Sequence, residues 1–488
     1  MTNAHCVENA IKGQIKFKRP GAENPKLTGD VLYVYQEADL ALVRVVEKDV
    51  AAFNAGFTGS EDDVIEFTES VDLETDIVLR GYPDGDNLIK VNGRISRMTT
   101  LDYSRHRDYS GEDNRELLVI QTQAPVNSGN SGGPGFQKDP RDGKYRCVGV
   151  AVASCAGSAD NVGFLIPRQV VMHFLEDVKR RSINDEHKMG FPRYGLTFQD
   201  TDMKNNRIFH QIPREGEYAH SGQLINGIVK GSTFDGTLEV GDTIVEVDGN
   251  KINSVGMYQP DYAETGLTEE VHMRWIIAQY FFGDETTIKF FRKGALIEET
   301  VTFRQHDPLI QDLLTDENGL NRGPAYAITG AVAVTEVTQQ YLTDMYDASA
   351  NDESEGIPDQ YVRARALTFD APEGYEEQDR RIVAITGILS EDVEDGVDGN
   401  IVTHVNDQQI YNLQHFVDLV VEAVKNARPL VDVPKKKGAA EVVAIELDDD
   451  EAAEGDSSSS EEDDENSGSD SAEESGSEQE GAMDQDGS

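Results

Sequence analysis

Short apolar runs separated by turn-forming residues fill roughly the first 185 residues of the chain. Segments such as DVLYVYQ, DLALVRVV, TDIVLRGYP and CVGVAVAS are rich in β-branched residues and are bounded by turn residues, as strands are. The segment PRQVVMHFLEDVKRR instead repeats apolar residues on one helical face, at Val170, Val171, Phe174, Leu175 and Val178. We therefore predict a mainly β barrel or sandwich over residues 1–187 that closes with one helix.

Two later segments mix strand and helix patterns. Between 190 and 306 we predict strands in YGLTF, QLINGIVKGS and GTLEVGDTIVEVDGNKI, a helix around TEEVHMRWIIAQYF, and a strand pair in TTIKFFRKGALIEETVTF. Between 320 and 432 the theme repeats, with strands in AYAITGAVAVTEV, RRIVAITGILS and NIVTHVNDQQI and a helix at LQHFVDLVVEAVKN. These patterns predict two small α+β domains, one in each segment.

Negative charge is concentrated at the C-terminal end of the chain. The formal net charge is −47, and residues 448–488 contain 18 acidic residues and no lysine or arginine, which leaves −29 for residues 1–447. The segment 444–488 cannot bury enough apolar surface to offset its ordering entropy, so we predict a disordered acidic tail. Such a surface argues against direct binding of nucleic acid, whereas basic nuclear proteins such as histones would be attracted to it.

The cysteines and the apolar runs bear on the compartment. Cys6, Cys147 and Cys155 are an odd and sparse set, which favours a reducing compartment over a disulfide framework. No apolar run of 18 residues is present, so we predict no membrane span. The first ten residues, MTNAHCVENA, have no signal-peptide pattern.

The segment NSGNSGGP, Asn127 to Pro134, has the features of a nucleophile loop. A nucleophilic serine needs a glycine-rich turn whose backbone N–H groups converge on the oxyanion of a tetrahedral intermediate. We therefore predict Ser131 as the nucleophile, and Gly129, Asn130 and Ser131 as the oxyanion hole. Taken alone, the same letters also describe an ordinary glycine-rich turn.

Two further segments supply a base and an acid. His5 in TNAHC has the side chain that can accept a proton from a serine hydroxyl. Asp39 in ADLALVRV precedes an apolar strand, a position from which its carboxylate can orient an imidazole. Each residue alone is more often structural than catalytic. Together with Ser131 they follow the order His, Asp, Ser, which is the chymotrypsin order, and we predict them to form a catalytic triad.

The segments TNAHC, DLALV, GYPDGDNLIKVNGRISR, NSGNSGGP and NVGFLIP, in this order, resemble the Deg/HtrA (Do-like) protease domain. The resemblance extends through GFPRYGLTFQ to about residue 430 and is greatest to the plant-type members. It implies a trypsin-like double β-barrel at 1–187, a PDZ domain at 190–306 and a divergent PDZ-like domain at 320–432. Because only four residues precede His5, we expect the N-terminal barrel to be truncated.

The resemblance also implies an activity and partners. The family cleaves unfolded or damaged proteins through a serine acyl-enzyme, uses neither ATP nor a metal or other cofactor, and works as trimers or larger homo-oligomers. The acidic tail and the resemblance favour a nuclear or nucleolar location. The alternative is a chloroplast or mitochondrion, with a targeting peptide that would lie in the missing N-terminal region.

Two binding sites can be placed from the sequence. The residues before the nucleophile and in the strand GVAVAS predict a small apolar specificity pocket, formed by Ala124, Pro125, Val126 and Ala151. Such a pocket favours cleavage after valine, alanine or leucine.

In the first PDZ domain the expected capture site for a protein C-terminus consists of Gly195, Leu196 and Thr197. A core strand without a ligand is the alternative for that segment.

Three functions are compatible with these features. The intact triad favours an ATP-independent serine endopeptidase. The shortened N-terminal barrel favours an inactive or truncated protease-fold chaperone or scaffold, which would bind proteins through its PDZ domains and acidic tail. A binder of basic nuclear proteins that retains a protease fold is the third.

Overall fold

The structure is a computed structural model of the 488-residue chain. It describes residues 1–7, 12–16, 26–54, 65–69, 71, 73–82, 88–101, 116–126, 129–152, 162–261, 267, 269–305, 309–311, 318–320, 323, 325–329, 332–342, 379–388, 401–426 and 445–447. All of these belong to one of the two units into which the chain divides, Met1–Asp448. The other unit, Asp449–Ser488, lies outside the described residues.

Three antiparallel strands form the N-terminal sheet, in the order β1-β2-β3. The elements here are a 3₁₀ helix Ala4–Cys6, β1 Lys12–Lys16, β2 Lys26–Tyr35, β3 Leu40–Val45 and helix α1 Glu47–Asn54. A bridge between Thr2 and Ala41 fixes the first residues to β3. Ala4, Val31, Val34 and Ala41 pack into a small buried cluster. Among the described residues this sheet consists of these three strands.

Six strands form a closed barrel, in the order β4-β5-β6-β9-β8-β7. Their bounds are β4 Asp76–Gly81, β5 Ile89–Leu101, β6 Leu117–Thr122, β7 Pro134–Lys138, β8 Tyr145–Val152 and β9 Gly163–Pro167. The predicted closing helix follows as α2, Arg168–Ile183. Its predicted apolar face is correct, since Val170, Val171, Phe174 and Val178 are buried and Leu175 is partly buried against the barrel.

The next elements form a five-strand antiparallel path, β10-β11-β12-β16-β17, which we call the first α+β unit. Its elements are β10 Leu196–Asp200, α3 Lys204–Phe209, β11 Gln223–Ile228, β12 Thr243–Val247, β13 Asn250–Lys251, β14 Met257–Tyr258, β15 Val271–His272, α4 Arg274–Ile277, β16 Glu285–Arg292 and β17 Ala295–Thr302. The predicted helix over TEEVHMRWIIAQYF is wrong in extent. Only Arg274–Ile277 is helical, because Val271–His272 pairs as a strand with Met257–Tyr258.

The last described elements form a second sheet of the same kind, the second α+β unit, with strand path β18-β19-β20-β21-β22. They are β18 Tyr326–Thr329, β19 Val332–Glu336, β20 Val383–Ile388, β21 Ile401–Val405, β22 Gln408–Gln409, helix α5 Leu413–Asn426 and β23 Ile445–Leu447. The predicted tail begins too early at 444, because β23 pairs with β21. The remainder of the predicted tail, 448–488, lies outside the described residues.

Candidate active site

The Asp39 carboxylate holds His5 with both of its oxygens. Asp39 Oδ2 lies 2.7 Å from His5 Nδ1, and Asp39 Oδ1 accepts a 3.0 Å hydrogen bond from the backbone N–H of His5. The Asp39 residue is only 4% exposed, and its backbone carbonyl accepts a 2.9 Å bond from Asn3 Nδ2. This arrangement directs the Nδ1–H proton at the carboxylate and leaves Nε2 as the nitrogen that can accept a proton.

Asp39 reaches this position from a tight turn between β2 and β3. Its backbone φ is +49°, in the left-handed region that aspartate tolerates better than most residues. Its N–H donates to the Gln36 carbonyl at 3.2 Å, which closes the turn. The strand that follows begins with the fully buried Leu40 and Ala41, so the turn is anchored in apolar packing.

The surroundings of His5 favour its protonated form. The hydrogen bond to Asp39, together with the neighbouring Cys6 side chain and against the effect of burial, raises the pKa of His5 from 6.5 to about 9. A histidine with this pKa carries a positive charge at neutral pH and gains its proton-accepting form at alkaline pH.

Two glycines of the predicted nucleophile loop lie in the left-handed backbone region. Gly129 and Gly132 have φ values of +87° and +79°. A Cβ on Gly132 would lie 2.4 Å from Thr2 Oγ1 and 3.2 Å from the Asn3 backbone nitrogen, so a side chain there would require the N-terminal residues to shift. The loop is fixed to the barrel by Gly132, whose N–H donates to the Ala151 carbonyl at 2.9 Å.

The predicted oxyanion hole has free donors. Within the described part of the chain the backbone N–H groups of Gly129, Asn130 and Ser131 make no hydrogen bond. The Asn130 side chain is buried, and neither of its polar atoms has a partner among the described residues. Such N–H groups, held in one glycine-rich turn, can bind a developing oxyanion.

The structure brings His5 and Asp39 close to the loop that carries Ser131. The hydrogen bond between His5 and Asp39 is present, whereas none joins His5 to Ser131 among the described residues. The Sγ of Cys6, the residue after His5, donates to the Ser131 carbonyl at 3.9 Å. Among the described hydrogen bonds none joins His5 Nε2 to Ser131 Oγ.

Among the residues predicted for the specificity pocket, Ala151 is hydrogen-bonded to the predicted nucleophile loop, with its carbonyl accepting from the Gly132 N–H and its N–H donating to the Gly133 carbonyl. Ala124, Val126 and Ala151 are buried in the barrel core, and Pro125 is half-buried. A Cβ on Gly163 would lie 2.2 Å from the Ala124 carbonyl oxygen, so no empty space separates Gly163 from Ala124. Asn127, Ser128 and the segment 153–161, which includes Cys155, lie outside the described residues. The pocket stays a prediction.

The predicted capture segment of the first α+β unit lies at an open sheet edge. Gly195 has a φ of +60°, and its carbonyl accepts a 2.8 Å hydrogen bond from Val229. Leu196 is fully buried and Thr197 is half-buried at the start of β10. In the described structure β10 pairs with β11 on one side only. A free edge beside a left-handed glycine fits a peptide site, and ligand binding there stays a prediction.

Glu37 links the Asp39 turn to the first α+β unit, and nothing in the local sequence predicts it. Glu37 Oε2 accepts a 3.1 Å hydrogen bond from the Phe191 N–H, and Glu37 Oε1 pairs with the Arg193 guanidinium. Glu37 and Tyr194 also line a small cavity of about 30 Å³. Because the partners are more than 150 positions apart in sequence, only the folded structure reveals the pair.

The remaining chemistry is sparse. Burial raises the pKa of the Cys147 thiol to about 12, and both Cys6 and Cys147 are free cysteines. Searching the described ranges finds no group of three histidine, cysteine, aspartate or glutamate residues placed to hold a metal ion. None of the described helices has the length and apolar character needed to cross a membrane.

Family models and curated relatives match this chain. A model described as a trypsin-like peptidase domain matches residues 1–150, and one described as a PDZ domain matches residues 316–466. Protease Do-like 2, chloroplastic, from Arabidopsis thaliana is 28% identical over 346 residues, which is 70% of this chain and 50% of the relative. Putative protease Do-like 3, mitochondrial, from the same organism is 26% identical over 426 residues, which is 86% of this chain and 65% of the relative.

The chain thus spans between half and two thirds of these relatives' length. A probable periplasmic serine endoprotease DegP-like from Rickettsia prowazekii is 24% identical over 278 residues, 56% of this chain and 47% of the relative. Among solved structures, the HtrA-type protease AlgW with decapeptide has 18% identity and a TM-score of 0.41, and the match covers 63% of this chain and 79% of that one.

Proposed function

We propose that the chain is a serine endopeptidase of the Do-like (Deg/HtrA) kind that cleaves unfolded or damaged proteins, because a trypsin-like peptidase model and a PDZ model match it and its listed relatives are Do-like proteases. The observation that carries the proposal is the His5–Asp39 pair at 2.7 Å, next to a glycine-rich loop in which three backbone N–H groups have no hydrogen-bond partner among the described residues. These are the base, the orienting acid and the oxyanion donors of an acyl-transfer site.

The proposed reaction uses only residues of this chain. Ser131 Oγ attacks the scissile carbonyl while His5 Nε2 accepts its proton, and Asp39 stabilises the imidazolium that results. The N–H groups of the nucleophile loop bind the oxyanion. His5 then donates the proton to the leaving amine, which forms the acyl-enzyme, and a water activated by His5 releases the acyl group. No step requires ATP or a metal.

The alternative is an inactive chaperone or scaffold, and the observation that leaves room for it is that His5 makes no hydrogen bond with Ser131 among the described residues. In this alternative, protein binding would fall to the PDZ domains and to the acidic tail.

The domain bounds, the partners and the compartment belong to the same proposal. We retain 1–187, 190–306 and 320–432 as domains, trimer-based homo-oligomers, and capture of protein C-termini at Gly195–Thr197. The names of two relatives, one chloroplastic and one mitochondrial, support an organelle. We therefore propose a chloroplast or mitochondrion over the nucleus or nucleolus, which the names of these two relatives do not support.

Degradation of a permanently unfolded substrate tests the proposal. The full chain is incubated with reduced, carboxymethylated lactalbumin and with the native, disulfide-bonded form, without ATP and with EDTA. We expect the unfolded form alone to be cleaved, and Ser131→Ala to abolish cleavage. Binding of the unfolded form without cleavage by the unmodified chain would support the scaffold alternative instead.

A further inference from the structure

The connection between the two α+β units contacts the peptidase domain at strand β2. Strand β1 pairs only with Lys26–Asp30, so beyond Asp30 no described strand covers that side of β2. There the N–H of Val34 donates to the Asn318 carbonyl at 2.9 Å. A segment that lies far along the chain therefore docks on β2, just before the turn that carries Asp39.

The docked segment, Asn318–Leu320, approaches β2 backbone to backbone, and we call it the strap. Gly319 has a φ of +77°, and a Cβ on it would lie 1.9 Å from the Val34 carbonyl oxygen and 3.0 Å from the Val34 carbonyl carbon. Both of these atoms belong to the backbone, so no rotamer change can make room for a side chain. Glycine is the residue that allows this conformation and this approach together.

Leu320 extends the strap to the residues that carry the proposed base. Its side chain packs against the buried cluster of the N-terminal sheet, Ala4, Val31, Val34 and Ala41. Ala4 is only 1% exposed and begins the 3₁₀ helix Ala4–Cys6, in which His5 is the next residue. Because alanine and valine side chains are small, Leu320 is a large part of the apolar contact on which this helix rests.

An earlier part of the same connection is fixed to the second α+β unit. Leu309 and Ile310 are buried in a cluster with residues of that unit, among them Val337, Leu342 and Ile382. The N–H of Gln339 donates to the Gln311 carbonyl at 2.8 Å. Residues 312–317 lie outside the described residues. The connection is thus held by the second α+β unit at 309–311 and by the N-terminal sheet at the strap.

We propose that the strap, Asn318–Leu320, is a positioning segment for the base: it holds the 3₁₀ helix Ala4–Cys6 where His5 meets Asp39. The kinetic consequence of the inference rests on the proposed peptidase function, whereas its effect on the His5–Asp39 contact does not require turnover. Asn318 and Gly319 lie between the predicted domains 190–306 and 320–432, so a segment outside the peptidase domain completes the support of its base.

Gly319→Ala in the full chain tests the proposal, because the added methyl group collides with the Val34 carbonyl and forces the strap off β2. Gly249→Ala is the matched control. Gly249 has a similar φ of +72°, and a Cβ there meets nothing within 4 Å among the described atoms, so the variant adds the backbone strain without the collision. A second variant, Leu320→Ala, removes the packing and keeps the glycine. Its control is Leu296→Ala, since Leu296 is 47% exposed.

The first readout is the titration of the His5 ring, followed by NMR on the chain that contains isotope-labelled histidine. The His5 signal is the one that disappears in His5→Ala. Asp39 and Cys6 are the titratable groups that face this ring, and the parent midpoint is expected near 9. In Gly319→Ala and Leu320→Ala the midpoint is expected to fall by about one pH unit, because a displaced helix weakens the bond to Asp39. Both controls should keep the parent midpoint.

The second readout is steady-state cleavage of a fluorogenic unfolded protein. On the alkaline plateau, kcat is expected to fall about tenfold in Gly319→Ala, because the base is misplaced. The value of KM should stay within about twofold, because the strap makes no contact assigned to the substrate. A strap that served only the stability of the fold would lower the active fraction and leave the pH midpoint unchanged.

Two results would overturn the proposal. One is a His5 midpoint that is unchanged in both Gly319→Ala and Leu320→Ala. The other is an equal shift of the midpoint in Gly249→Ala, which would assign the effect to backbone strain. Should Gly319→Ala unfold the N-terminal sheet, the milder Leu320→Ala decides alone. Absence of cleavage by the parent chain would count against the peptidase function only, since the titration of His5 is measured without substrate.

Discussion

At the scale of single residues, the pairing of His5 with Asp39 decides the protonation state of the base. A carboxylate that is 4% exposed must be satisfied by hydrogen bonds, and here His5 supplies two of them through its ring and its backbone N–H. The same contact raises the pKa of His5 to about 9. At neutral pH the His5 ring is therefore mostly positively charged, and only its small deprotonated fraction can accept a proton.

The first prediction concerns the pH dependence of activity. The value of kcat/KM should rise with pH and reach half its plateau near pH 9, where His5 loses its proton. The hydrogen bond to Asp39 also stabilises the fold, fully below the unfolded pKa of 6.5, and this contribution is lost as pH rises through about 9. The measurement is the initial rate of cleavage of a fluorogenic unfolded protein from pH 5.5 to 10.

The control for the pH profile is Asp39→Asn. Without the carboxylate the His5 pKa should fall back towards its ordinary value, and activity should drop by about 10⁴-fold because the imidazole loses its orientation. A wild-type midpoint at pH 6.5 or below would mean that the Asp39 contact does not set the titration of the base.

At the scale of elements, strand β4 and the nucleophile loop meet without room for a side chain. A Cβ on Gly81, the last residue of β4, would lie 2.3 Å from Asn130 Oδ1 and 2.9 Å from Asn130 Cα. The second distance is to backbone, so a side chain at Gly81 cannot be accommodated by a rotamer change alone. The end of a barrel strand thus fixes the position of the oxyanion donors.

We predict that Gly81→Ala displaces the nucleophile loop. Activity should fall by about 10²-fold through loss of oxyanion binding, and the free energy of unfolding by about 1–3 kcal/mol through overpacking. Gly323→Ala is the matched control, because a Cβ there meets nothing within 4 Å among the described atoms. Kinetics and urea unfolding measure both effects. Unchanged kinetics in Gly81→Ala would show that the loop tolerates the shift.

The sequence predicts elements and sites where the determining contacts are local. The prediction of Ser131 rests on the glycine-rich residues next to it in the sequence. The strand pair joined at Lys293-Gly294 forms as expected, and its two strands are also neighbours in sequence. The helix predicted around TEEVHMRWIIAQYF fails because a distant partner, Met257–Tyr258, takes part of it as a strand. The same limit applies to the pair of Glu37 with Arg193, which are far apart in sequence.

The Glu37–Arg193 pair predicts an energetic coupling between the Asp39 turn and the first α+β unit. Glu37 and Arg193 have side chains 20% and 30% exposed, so a double-mutant cycle with alanine should give a coupling of about 1 kcal/mol. The exposed pair Glu176–Lys179, at 3.1 Å, is the control and should give about 0.3 kcal/mol. Urea unfolding of the four variants of each cycle measures the couplings. Equal coupling energies in the two cycles would mean that the Glu37–Arg193 pair does not link the Asp39 turn to the first α+β unit.

At the scale of the whole molecule, the peptidase domain and the first α+β unit share a packed junction. His173 of α2 stacks between Phe191 and Phe281, at 4.4 and 4.2 Å between ring centroids. Burial lowers the pKa of His173 to about 4, so its ring stays neutral at physiological pH. Asp177 of α2 also accepts a hydrogen bond from the Gly190 N–H at 2.9 Å. The chain leading to Tyr194 and Gly195 is therefore anchored on the peptidase domain.

The most direct test of the account is covalent labelling of the full chain with a fluorophosphonate probe, followed by mass spectrometry of the labelled peptide. The probe needs an assembled nucleophile, base and oxyanion hole, and no knowledge of the natural substrate. We predict one label, on Ser131, that forms faster as pH rises towards 9 and is absent in Ser131→Ala and in His5→Ala. No label on Ser131 at any pH, in a chain shown to be folded, would contradict the assignment of a working triad and leave the scaffold alternative.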